Sequence, residues 1–186
     1  MEKLGVFDIE KNERPPRIYS FDEKEWVKKE ISNGKYLKHA YIPELLESAD
    51  KLIFLPCLKT HFKSQFTGSL KLSMGCIKPY ERVSFHASNI QEKIAELSSL
   101  MAPGLIIMDA RKCFITGGPF KGDMRESDLI LASDDRVAID VEGIKIIQSF
   151  DGNSLRGINP WELPQIKRAT ELNIGSNSEK DYEITQ

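Results

Sequence analysis

The sequence predicts an α/β fold, a mainly parallel or mixed sheet flanked by helices in a single domain. Three observations predict it. Short apolar runs at 51–55 and 104–108 are closed by Pro56 and Asp109, as buried strands of α/β sheets are. Between them Ile90, Ile94, Leu97 and Met101 recur at helical spacing. The 186 residues, 40% hydrophobic and 29% charged, have the composition of an ordinary globular domain. A chain of this length buries on the order of 70% of its unfolded surface.

The elements follow in chain order. Residues 4–9 are expected as a short strand, and 11–17 as a charged loop broken by two prolines. From 18 to 42 the anchors Ile18, Phe21, Trp26, Val27, Tyr36, Leu37, Tyr41 and Ile42 alternate weakly, which predicts short strands or a hairpin. Pro43 opens a short helix running to Ala49, since its fixed φ suits a first helical turn. Pro56 stops the strand at 51–55. Thr67 is expected to cap a helix across 68–74, with Gly75 at its stop. Ser88 and Gln91 read as a capping box for the helix that Pro103 ends. The strand at 104–108 closes on Asp109, a third strand is expected at 112–116, and the loop 116–123 leads to a strand at 129–132. Ser133 or Asp134 caps a helix carrying Val137, Val141 and Ile144 on one face. A last helix lies between Pro160 and Leu172, with Pro164 marking a late start and Gly175 its stop. One domain therefore covers 1–175, and the polar tail 176–186 is expected to fray.

Charge and cysteine content exclude several function classes. Lys and Arg number 26 against 28 Asp and Glu, a net charge of −2, so the chain has no global attraction to nucleic acid or to an anionic membrane. Any basic patch is local. The cysteines Cys57, Cys76 and Cys113 form an odd set without a C-x-x-C pair, which argues against a disulfide framework and for a reducing cytoplasm. Apolar runs are too short to span a membrane, and the first residues lack the apolar stretch of a secretory signal. The expected partners are accordingly an anionic small molecule, with no nucleic acid and no membrane.

Residues 59–75 hold the strongest candidate site, for an anion. In an extended 59–61 segment Lys59 and His61 project to one side and Thr60 to the other. Thr67, Gly68 and Ser69 would offer free N–H groups at a helix N-terminus, and Lys71, four residues after Thr67, would share that helix face. The plainer alternative is solvated lysines and a histidine that caps a strand end. The loop at 117–122 is a second candidate, because Gly117, Gly118 and Gly122 let backbone approach a ligand closely; an ordinary turn is its alternative. Asp109 is placed to accept a proton or simply to cap the turn before Arg111. Arg82 and His86 would add to the basic pocket or line the surface. Asp140 is read as structural, paired with Arg136 one turn earlier. The cysteine spacing gives no metal site, and no cofactor is assigned to this chain.

Residues 50–75 resemble the hallmark of the family known as domain of unknown function 362. The hallmark is a hydrophobic strand followed by Pro56-x-Leu58-Lys59-Thr60-His61 and then Thr67-Gly68-x-x-Lys71-x-x-x-Gly75. Arg82 with His86, the strand from Pro103 to Asp109, Gly117-Gly118-Pro119 with Gly122, and Ser133-x-Asp135-Arg136-Val137-Ala138-Ile139-Asp140 continue the order. The likeness covers about residues 45–150. Leu72 stands where the family usually has Asn, Ala110 where it commonly has Gly, and the Lys-Pro-Asn strand that family members carry further upstream is not found. Some members carry an appended ferredoxin-like Cys-x-x-Cys-x-x-Cys segment, so the resemblance implies a redox context. It points to either an anion-binding enzyme domain, with Asp109 and His61 as catalytic groups, or an accessory module docking a ferredoxin-like carrier.

Overall fold

In a computed structural model, residues 17–85 and 87–185 are described. The strand expected at 4–9 lies outside them. Strands β1 (Trp26–Glu30) and β2 (His39–Pro43) form an antiparallel hairpin, followed by the one-turn helix α1 (Glu44–Ser48). Pro43 stands immediately before α1 as its N-cap, as its fixed φ suggests. Next come β3 (Ile53–Phe54), β4 (Lys59–His61), β5 (Gln65–Thr67) and α2 (Ser69–Leu72). A 3₁₀ turn at Ser73–Cys76 leads to α3 (Pro79–Phe85) and α4 (Ile90–Ser98). The second half holds β6 (Leu105–Asp109), β7 (Lys112–Phe114), β8 (Met124–Glu126), β9 (Ile130–Ser133), α5 (Arg136–Gln148) and α6 (Pro164–Glu171).

The sheet at the centre is mixed. Its order is β3-β6-β9, with β3 parallel to β6 and β9 antiparallel to it. Two further hairpins, β4-β5 and β7-β8, sit beyond the carboxyl ends of β3 and β6. The chain is thus α/β, with parallel pairing among the described residues between β3 and β6 and at an isolated bridge between Cys57 and Asp109.

Alternation along the strands shows which face the helices cover. Phe54, Ile106 and Met108 are buried beneath the helices, together with Val141, Ile144 and Ile147 of α5. Gly143 permits the close approach, since a Cβ there would stand 2.8 Å from the Leu58 side chain and 3.2 Å from the sulfur of Met108. On the opposite face Ile53, Leu55, Leu105 and Ile130 are exposed, Leu55 to 65%. The strands expected to be buried on both faces therefore have one face open to solvent among the described residues.

Charged groups inside the helix layer tie distant segments together. Arg136 is buried and donates to the carbonyls of Ser69 (2.8 Å), Ser98 (2.9 Å) and Met101 (3.1 Å), and to Ser73 Oγ (2.7 Å). Asp140, one turn later, accepts the amides of Ser69 at 2.5 Å and Leu70 at 3.0 Å. The expected Arg136–Asp140 pair is instead a two-pronged grip on α2. Glu96, also buried, accepts the amides of Lys35, Tyr36 and Leu37 and two bonds from Arg168, joining α4 to α6 and to the β1–β2 turn.

Several termini differ from expectation. Asp135, rather than Ser133 or Asp134, caps α5, accepting the amides of Val137 and Ala138 at 2.8 Å. The Ser88–Gln91 box does not form. Asn89 in the left-handed region precedes α4 without a side-chain cap, and Gln91 bonds Gln65. Pro164 starts α6, as its late position suggested. Within the tail, Ser176 donates twice to Asp135, Tyr182 donates to Glu142 at 2.5 Å, and Glu179 pairs with Lys145.

Replacing Arg136 with Met would remove the guanidinium donor from the carbonyls of Ser69, Ser98 and Met101. We expect a loss of about 3–5 kcal/mol in urea unfolding, the usual cost of removing one partner from a buried charged network. A loss below about 1 kcal/mol would show that the network contributes little.

Candidate functional site

The β4-β5 hairpin brings the central residues together. Lys59 and Thr67 are directly opposite in its register. Lys71 follows on α2, half-buried, and lies near enough to Lys59 for that charge to act on it. Burial first, and the Lys59 charge second, lower the Lys71 ammonium to about 8. Among the described residues neither lysine has an acidic partner, and the buried Thr67 hydroxyl bonds no protein atom. Two cations and an orphaned hydroxyl thus share one place, a combination that costs free energy until an anion or polar group meets it. No sequence pattern exposes the Thr67 hydroxyl as unpartnered; the strand register does.

The helix N-terminus does not offer the free amides expected of it. Thr67 is a strand residue, Gly68 is the N-cap, and the amides of Ser69 and Leu70 go to Asp140. The carboxylate of Asp140 therefore occupies the position where an external anion would bind. Gly68 is required there because a Cβ would come within 2.2 Å of Asp140 Oδ1. Burial pushes Asp140 up to about 7, opposed by the two amides and by the Arg136 charge.

Thr60 faces away from Lys59, as its alternation predicts, and donates to the Phe114 carbonyl at 3.1 Å. His61 is buried in the hairpin turn. Its Nδ1 accepts the amides of Lys63 (3.1 Å) and Ser64 (3.2 Å), so this nitrogen serves the turn rather than proton transfer.

The glycine loop lies against β4. Gly118 accepts from the Phe62 amide at 3.4 Å, and its own amide donates to Lys121 at 2.7 Å. Gly117 and Gly118 have φ of +65° and +73°, and a Cβ on Gly118 would sit 2.1 Å from the Thr60 carbonyl. A Cβ on Gly122 would likewise strike the Thr116 carbonyl, at 2.0 Å. These glycines are explained by packing of the hairpin upon itself and upon β4.

Two further candidates have structural partners. Asp109 ends β6 and binds Arg111 through both carboxylate oxygens, at 3.0 and 2.8 Å. The Arg111 side chain, then its amide, holds the Asp109 carboxyl below the usual range, which disfavours it as a base at neutral pH. Arg82 donates to the carbonyls of Gly75 and Ile77, closing the 3₁₀ turn after α2. His86 lies outside the described residues. The described residues contain no trio of His, Cys, Asp or Glu placed to hold a metal, and their cysteines are free. No helix among them is long and apolar enough to cross a membrane.

The lowered Lys71 value carries a sign. Folding disfavours its proton, so stability rises as pH climbs from about 8 toward the ordinary lysine value of 10.5. The Lys71→Met chain lacks this gain. Urea midpoints of the two proteins, compared at pH 7.5 and pH 10, should therefore shift in favour of the wild type at the higher pH. Equal shifts would mean that Lys71 titrates normally.

A family model described as "Domain of unknown function (DUF362)" matches residues 1–145. The chain is 30% identical over 131 residues to a thylakoid-associated protein of Synechocystis sp., a match covering 64% of this chain. That stretch is 41% of the cyanobacterial protein, so the match spans less than half of the relative's length. No solved structure matches the chain.

Proposed function

The chain belongs to the domain of unknown function 362 family, and from that premise we propose that it is an anion-binding domain whose ligand meets Lys59, Thr67 and Lys71. One observation carries the reading: two neighbouring lysines lack an acidic partner among the described residues, beside a buried hydroxyl without a bond. Lys112 pairs with Glu126 and Lys145 with Glu142 and Glu179; an unpaired lysine is not rare on this surface, and what sets Lys59 and Lys71 apart is that one charge acts on the other beside an unbonded hydroxyl. An arriving carboxylate or phosphate would neutralise Lys59, restore the proton of Lys71 and accept the Thr67 hydroxyl.

A second reading is a non-catalytic accessory module that docks an acidic iron–sulfur carrier through the same lysines. The engagement of His61 Nδ1 by turn amides and of Asp109 by Arg111 favours it over a catalytic site built on those two groups. Association with a ferredoxin would weaken steeply with ionic strength, whereas a small anion held partly out of solvent would respond less.

Calorimetric titration with inorganic phosphate and pyrophosphate tests the first reading. The wild type should bind and take up protons above about pH 8, as the anion draws Lys71 back to its charged form. Lys59→Met and Lys71→Met should each weaken binding about tenfold, the loss of a charge-assisted bond of ~1.5 kcal/mol or more. Identical isotherms for wild type and both variants would reject the site.

A further inference from the structure

Two large apolar side chains stand at the tips of neighbouring turns. Phe62, in the β4-β5 turn, is 69% exposed, and Phe120, in the glycine loop, is 91% exposed. The bond from the Phe62 amide to the Gly118 carbonyl holds the two turns side by side. Each ring is followed by a lysine, Lys63 and Lys121, both exposed and without an acidic partner among the described residues. The segments 62–65 and 117–122 contain no acidic residue.

We propose that these paired tips form an interfacial anchor for an anionic lipid surface, Phe62 and Phe120 entering the headgroup boundary while Lys63 and Lys121 meet lipid phosphates. Aromatic rings with flanking basic residues are favoured where an apolar medium meets a charged, hydrated one. The shape selects a bilayer over a protein partner. A protruding ring such as Phe120 can enter a fluid boundary without a matching cavity, and the lysine beside each ring suits the phosphates of an anionic bilayer. No spanning segment is needed. Contacts within the hairpins position the tips: Gly118 rests on the Thr60 carbonyl, and His61 accepts two amides of the other turn while its ring stacks on Phe62 at 5.1 Å.

The experiment uses the full chain and vesicles of phosphatidylcholine with or without 30 mol % phosphatidylglycerol, as a flotation assay at about 0.1 M salt. The wild type should float with anionic vesicles and remain behind with neutral ones. Phe62→Ser/Phe120→Ser should lose about tenfold or more in partitioning, and each of Lys63→Gln and Lys121→Gln about fivefold. Thermal unfolding should show every variant folded; phosphate titration of each variant should match the wild type, separating this surface from the Lys59–Lys71 site. In a Phe120→Trp chain the fluorescence should shift to the blue on addition of anionic vesicles. Absence of flotation would overturn the proposal. So would flotation indifferent to the Phe62/Phe120 change, or flotation abolished by free phosphate, which would assign lipid capture to the Lys59–Lys71 site.

Discussion

The grip of α5 on α2 is the constraint from which the candidate site follows. A four-residue helix cannot sustain itself, because nucleation consumes more conformational entropy than one turn of hydrogen bonds returns. Asp140 supplies what its amino end lacks, and Arg136 takes up carbonyls along its length. Both prongs come from consecutive turns of one helix that is itself fixed by Val141, Ile144 and Ile147 against the sheet. The position of Lys71 is thereby set from across the core, by residues about seventy positions away in sequence. The same arrangement explains a buried carboxylate that would otherwise be costly: the amides of Ser69 and Leu70 and the nearby guanidinium offset its removal from water.

The lysines at the β4-β5 hairpin differ from the paired lysines of the surface. Lys112, Lys145 and Lys167 sit beside carboxylates at 2.6–3.1 Å, worth little individually in water but locally neutral. Lys59 and Lys71 repel each other beside a hydroxyl that has no hydrogen bond among the described residues. Such local frustration marks places where a chain is suited to a ligand rather than to itself. The groups first considered as catalysts behave in the opposite way, since Asp109 and His61 both have close partners within their own turns.

How much of this was legible in the sequence depends on the range of the interaction. The α/β class, the hairpin between 18 and 42, the short helix after Pro43 and the late start of α6 follow from local periodicity and from proline geometry, and all stand in the structure. The Lys59/Thr60 alternation was readable because strand side chains alternate without exception. The helix cap at Thr67 failed because the true cap for the amides is Asp140, a residue that no short window contains. For the same reason Glu96 escaped notice, although a carboxylate between Ile94 and Leu97 on a helix was itself a signal of a buried acceptor. The strand run 51–55 looked doubly buried because every residue but Lys51 is apolar; only the arrangement of helices reveals that Ile53 and Leu55 face outward.

That outward face has a consequence for how the polypeptide behaves in a test tube. Excluded salts such as sulfate raise the cost of wetting hydrocarbon, while urea and alcohols lower it. The side chains of Ile53, Leu55, Leu105 and Ile130 form a tract where that cost is concentrated. Among the described residues this tract is one place where such solvents act, and a Leu55→Lys exchange there should raise the salt needed for precipitation without touching the lysine pair.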